Sequence, residues 1–137
     1  MRRILIAAGA AAVLIATAAF WAVWTAAAHP ALRLEPSVVD FGPLAQRATR
    51  TIEVRNDGRA PLRVLGISTS CGCTTAVISA SVLRARGGAR LEITFDPAAH
   101  GPIPGPARHA VYVRTDDPKT PEAEVEVRAV VLKGDTR

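Results

Sequence analysis

From Leu32 onward, apolar and polar residues alternate in short runs, and each run ends in turn-forming residues. A period of two marks a strand with one buried face. The clearest run sets Leu91, Ile93 and Phe95 against Glu92, Thr94 and Asp96, and Pro97 closes it. Val125, Val127, Ala129 and Val131 repeat the pattern against Glu124, Glu126 and Arg128. Leu32, Leu34 and Val38 form a first strand that Pro36 marks as an edge, and Ile52 and Val54 a second that stops at Asn56-Asp57-Gly58. Leu62, Val64 and Leu65 to Ile67 build a third, Val77 and Ile78 a short fourth, and Val111 and Val113 a sixth. Seven strands separated by regular turns predict an all-β, two-layer sandwich. No stretch after Ala28 sustains helical spacing.

The first 28 residues follow another pattern. Arg2 and Arg3 precede an uncharged run from Ile4 to Ala28, which as a helix would span about 38 Å against a hydrocarbon core of about 30 Å. Its length, and the cluster of Phe20, Trp21 and Trp24 at its outer end, predict a membrane-anchoring helix that begins at Ile4. The small residues Ala26-Ala27-Ala28 equally fit a secretory signal cleaved after Ala28. Either way the basic start stays in the cytoplasm and the remainder lies outside it, in the periplasm or at the cell surface. The expected organisation is a signal anchor or signal peptide over 1–28, a linker over 29–33, the sandwich over 34–132 and a tail over 133–137.

Charge narrows the partners. Of 17 basic residues two fall in the leader, which leaves 15 against 12 acidic in the exported part. They are scattered, and beyond the leader the aromatics are Phe41, Phe95 and Tyr112, so nucleic acid is not an expected partner. Another envelope protein is, together with the inner membrane if the leader is retained.

The chain has two cysteines, in Ser70-Cys71-Gly72-Cys73-Thr74. Thiols one residue apart can close a small disulfide, chelate a soft metal, or pack as small apolar groups; an oxidising compartment favours the disulfide. In a straight strand their Cα atoms would stand about 6.8 Å apart, so pairing needs a bend at Gly72. Closing so short a loop contributes only about 1.5 kcal/mol. Arg84, Arg86 or Arg90 are candidates to lower a thiol pKa. No phosphate loop or hydrolase signature is present, and Asp116-Asp117 before Pro118 reads as a turn that satisfies its own backbone N–H groups.

Glu35-Pro36, Asp40-Phe41-Gly42, Val54 to Gly58, Ile67 to Thr74, Ile93 to Pro97 and Thr115 to Pro118 occur in order. Together they resemble the bacterial domain-of-unknown-function family 1573, with Ser-Cys-Gly-Cys-Thr as its hallmark. The resemblance implies an immunoglobulin-like sandwich related to Hydin and major-sperm-protein domains, which act mostly as interaction and scaffolding modules. It supplies no catalytic residues.

Strand parity places the cysteine turn, His100 and His109 at one end of the sandwich. Cys71, Cys73, His100 and His109 are thus candidate ligands for Cu(I) or Zn(II), and no other cofactor is expected. The sequence reads as an extracytoplasmic, non-enzymatic binding or structural module. The alternative is a thiol-disulfide or Cu(I)-handling protein working through Cys71, Gly72 and Cys73, in which weak exchange would be the only enzyme-like activity.

Overall fold

The computed structural model describes residues 28–99 and 103–133. Nine strands are present among them: β1 (Leu32–Glu35), β2 (Val38–Leu44), β3 (Ala48–Asn56), β4 (Leu62–Thr69), β5 (Thr74–Ile78), β6 (Val82–Leu83), β7 (Gly88–Phe95), β8 (Gly105–Thr115) and β9 (Glu122–Val131). One sheet has the order β1-β3-β7-β5, the other β2-β9-β8-β4-β6. Every pairing is antiparallel except that of β2 with β9, which is parallel.

The expected count of seven is corrected to nine, for two reasons. Pro36 has no N–H to continue a ladder, and the chain changes sheets there: Leu34 pairs with Val54 in the first sheet, while Val39 lies beside Val127 in the second. The run Leu32 to Val38 is therefore two strands, not one edge strand. Val82–Leu83 adds a two-residue strand against Leu62 and Arg63, too short to show a period. The predicted leader helix, with Ile4, Phe20, Trp21 and Trp24, lies outside the described residues. Among those described, no helix is long and apolar enough to cross a membrane.

Alternation decides which face is buried. Val54, Leu62, Leu91, Ile93, Val111, Val113, Val125 and Val127 are fully enclosed between the sheets, with Phe41, Ile52 and Phe95 nearly so. Each such side chain contributes about 1.5–3 kcal/mol by leaving water, so the sandwich is held mainly by this layer. β2 carries Pro43 without penalty because it is an edge strand, bent where the register shifts between Asp40 and Pro43. At that bend Gly42 takes a φ of 67°, which favours glycine, and its N–H donates to the Asp40 carboxylate at 2.7 Å. Pro106 is tolerated in β8 because β4 covers only Val111 to Thr115, leaving the first half of β8 paired on one side.

The two ends of the sandwich differ. At one end the fully buried Asn56 side chain accepts from the N–H groups of Ala31 (3.1 Å) and Gly58 (3.0 Å). Its amide donates to the carbonyls of Ala60 (2.8 Å), Arg84 (3.1 Å) and Leu83 (3.3 Å). Asp117, also buried, accepts from Leu32 N–H at 2.8 Å and Lys119 N–H at 2.9 Å. The other end carries the cysteines.

Candidate disulfide and metal site

β4 ends at Thr69, but its ladder with β8 runs one residue further through a side chain. Ser70 N–H donates to the Ala110 carbonyl, and Ala110 N–H donates back to the Ser70 hydroxyl, both at 2.9 Å. The Thr69 hydroxyl and Thr74 N–H then donate to the Cys71 carbonyl at 3.0 and 3.2 Å, which folds Cys71-Gly72-Cys73 into a tight turn. From the far side Asp96 N–H reaches the Cys73 carbonyl at 2.8 Å. The turn is thereby fastened to both sheets. Its Cα atoms at positions 71 and 73 come to 5.3 Å, and a disulfide joins the two sulfurs. Cys73 is buried, Cys71 half-buried and Gly72 exposed.

His109 reaches this turn through the parity of β8. Val111, Val113 and Thr115 point inward, so His109 points inward too, in register with Val127 and at the open end of the core. Its ring stacks on Phe95 with centroids 5.7 Å apart and planes inclined by 27°. Its Nε2 lies 3.5 Å from Cys73 Sγ. The donor atoms of Cys71, Cys73 and His109 all lie within 4.8 Å of one another. His100, the fourth candidate ligand, falls outside the described residues.

The expected arginines are elsewhere. Arg84 and Arg86 belong to the opposite end, where the Arg84 carbonyl meets Asn56 and Arg86 N–H donates to Gly58. Arg90 pairs with Glu53 across β3 and β7. They do not flank the thiols because the turn before β7 lies a whole strand length away. Arg47 is nearby instead, bound to Asp96 at 2.7 Å. That bond, with a further N–H from Ala98, holds the Asp96 carboxyl below the usual carboxylate range. The charge is turned toward Arg47, leaving sulfur and imidazole as the donors at the site.

Beside the disulfide lies a cleft of ≈ 400 Å³, whose apolar lining includes Phe95, Pro97, Ile103, Pro104 and Val131. Ile103 stands 82% exposed at its rim. Phe95 and the proline wall were not expected as parts of a site. Phe95 carried a signal nonetheless, since it ends the best alternating run on its inward face, one residue before the turn.

The chain is similar to a protein of unknown function from Porphyromonas gingivalis W83, with 25% identity and a TM-score of 0.68 over 77% of this chain and 48% of that one. It thus spans about half the length of that relative. The PapD-like domain 7 of human CEP192 matches with a TM-score of 0.57 at 12% identity, over 76% of this chain and 87% of the domain. The Escherichia coli chaperone DraB matches with a TM-score of 0.55 at 17% identity, over 77% of this chain and 58% of the chaperone. These likenesses show an immunoglobulin-type, PapD-like fold. No curated protein matches the sequence. The family model described as a protein of unknown function (DUF1573) matches residues 32–131, both sheets from β1 to the end of β9, and the chain belongs to that family.

Proposed function

We propose that this chain is a non-enzymatic binding or structural module of the bacterial cell envelope, and that it meets another envelope protein through the disulfide end of the sandwich. The observation that carries the reading is the apolar rim at that end. A large aliphatic side chain, Ile103, stands 82% exposed beside the exposed Pro104 and Pro106, over a cleft floored by the buried Phe95, Pro97 and Val131. Exposed apolar surface grouped around a concavity is where partners bury area, whereas scattered exposed valines need no explanation. Proline fixes φ, so the wall loses little entropy on binding. The uncharged run from Ile4 to Ala28 behind Arg2 and Arg3 supports an extracytoplasmic location, anchored with the N-terminus in the cytoplasm or cleaved after Ala28.

The test places a photocrosslinking residue at position 103 or, as control, at the exposed Arg59 of the opposite end, in the full chain in cells. Position 103 is expected to give a discrete product with one envelope protein that position 59 does not give. The same diffuse pattern from both positions overturns the reading. A second reading, thiol-disulfide or Cu(I) handling through Cys71 and Cys73, is favoured by one specific observation: His109 Nε2 stands 3.5 Å from Cys73 Sγ.

A further inference from the structure

An inward-facing histidine at the open end of a sandwich ordinarily packs, and His109 does pack on Phe95. What packing leaves unexplained is the donor set it completes. Two sulfurs and one imidazole nitrogen lie within 4.8 Å of one another, brought from the β4–β5 turn and from β8. Such ligands select thiophilic d¹⁰ ions over hard cations. Metal bonds of about 2.3 Å to sulfur and about 2.0 Å to nitrogen place those ligands about 3.6–3.8 Å apart. The Nε2 to Cys73 Sγ distance of 3.5 Å is already near that edge. The sulfur pair has to open and Cys71 Sγ to settle beside the imidazole, and the half-buried Cys71 and exposed Gly72 leave that movement free on the solvent side.

We propose that the Cys71–Cys73 disulfide is the closed, oxidised form of a three-ligand Cu(I) site, which opens on reduction and is completed by His109 Nε2. The first step is thiol-disulfide exchange with a dithiol reductant. It transfers two electrons and two protons, breaks the S–S bond to give two thiols, and leaves the reductant as a disulfide. In the second step Cu(I) displaces both thiol protons to solvent as two Cu–S bonds form, and the lone pair of His109 Nε2 makes the third bond. Copper stays Cu(I) throughout.

Two features favour Cu(I) over Zn(II). Structural zinc spaces paired cysteines by two to four residues, whereas here one residue intervenes. The cleft beside the sulfurs is also largely apolar, from Phe95, Pro97, Ile103, Pro104 and Val131, which suits the monovalent state. Stacking on Phe95 sets the plane of the imidazole before any metal arrives.

The proposal deepens the second reading above and is independent of protein docking at Ile103; crosslinking reports on one and copper uptake on the other. The experiment titrates the full-length chain, anaerobically, against a colorimetric Cu(I) chelator, with the cysteines either oxidised or reduced by a phosphine. The reduced chain is expected to take one copper and the oxidised chain none. His109→Ala should keep the stoichiometry but bind roughly tenfold more weakly or worse, since even outer-shell partners of metal ligands cost that much when removed. Copper-edge absorption should show two sulfurs and one nitrogen in the wild type, and sulfur alone in the variant. If His109→Ala misfolds in its oxidised, metal-free form, the wild-type spectrum decides by the presence or absence of the nitrogen. Copper on the oxidised chain, none on the reduced chain, unchanged affinity in folded His109→Ala, or Zn(II) displacing Cu(I) each overturns the site.

Discussion

At the Asn56 end of the sandwich one side chain meets five backbone groups, from the segment before β1 and from two connections, and Asp117 ties β1 to the turn after β8. At the Cys71 end the cysteine turn itself links the sheets, tied to β8 through Ser70 and to the end of β7 through Asp96, and it borders an apolar cleft. Polar side chains close one end from within, at a high cost if any is lost. The other end is closed by a covalent link whose loop is too short to stabilise much, so it can be opened at little cost to the fold. Stability is concentrated where chemistry is absent.

Substitution can break this contrast, and the largest effect belongs to Asn56. Asn56→Ala takes the side-chain partner from the Ala31 and Gly58 N–H groups and from the Ala60 and Leu83 carbonyls, while the Arg84 carbonyl keeps Gly87 N–H, and is expected to cost about 3–5 kcal/mol in urea unfolding. Gly58→Ala comes next, at about 3 kcal/mol, because a Cβ there would overlap the His29 carbonyl oxygen and the backbone at Pro30 and Ala31.

Asp117→Asn should cost about 2 kcal/mol at neutral pH, since it removes a charged acceptor of backbone N–H groups. Burial alone would raise the Asp117 carboxyl, but the N–H groups of Leu32, Lys119 and Thr120 together outweigh it and hold it below the ordinary range. A folded pKa below the unfolded value of about 3.9 gives stability that is present above that pH and lost as pH falls through the folded value. Wild type and Asp117→Asn should therefore converge in unfolding free energy as pH falls through the folded value, and a gap that persists once the carboxyl is protonated would show that the charge is not the cause. The smallest loss, about 1.5 kcal/mol or less, is expected for the Cys71→Ser, Cys73→Ser double variant under oxidising conditions. A loss there exceeding that of Asn56→Ala would reverse the contrast between the ends.

Much of the sandwich was legible because its signal is local. Leu91, Ile93 and Phe95 alternate without interruption, and each is buried as its parity requires. The same parity, carried back from Val111 and Val113, assigns His109 to the inner face. What escaped were facts of pairing rather than pattern. Leu32 and Val38 share a run and differ in sheet, because a change of layer at Pro36 depends on which distant strand each half meets. Val82–Leu83 has too few residues for any period. The roles of Arg47 and Phe95 at the cysteine turn follow from the pairing of Ala48 and Thr74 with Phe95, a three-strand register that no single segment encodes.

The parallel seam between β2 and β9 bears on how the domain comes into being. β2 has β9 as its strand partner, and Val38 lies beside Glu126 nearly the whole domain away in sequence. The loop-closure entropy for that contact must be met before the contact rewards it, so topology sets the folding rate and places it among slow, all-β domains. Until Glu122–Val131 has arrived, Val39 and Phe41 have no β9 to cover them and β2 stays open to pairing with other chains. β9, the C-terminal strand of the sandwich, is thus the one that protects β2 near its start, and a chain halted before Glu122 would be an aggregation-prone intermediate rather than half a domain.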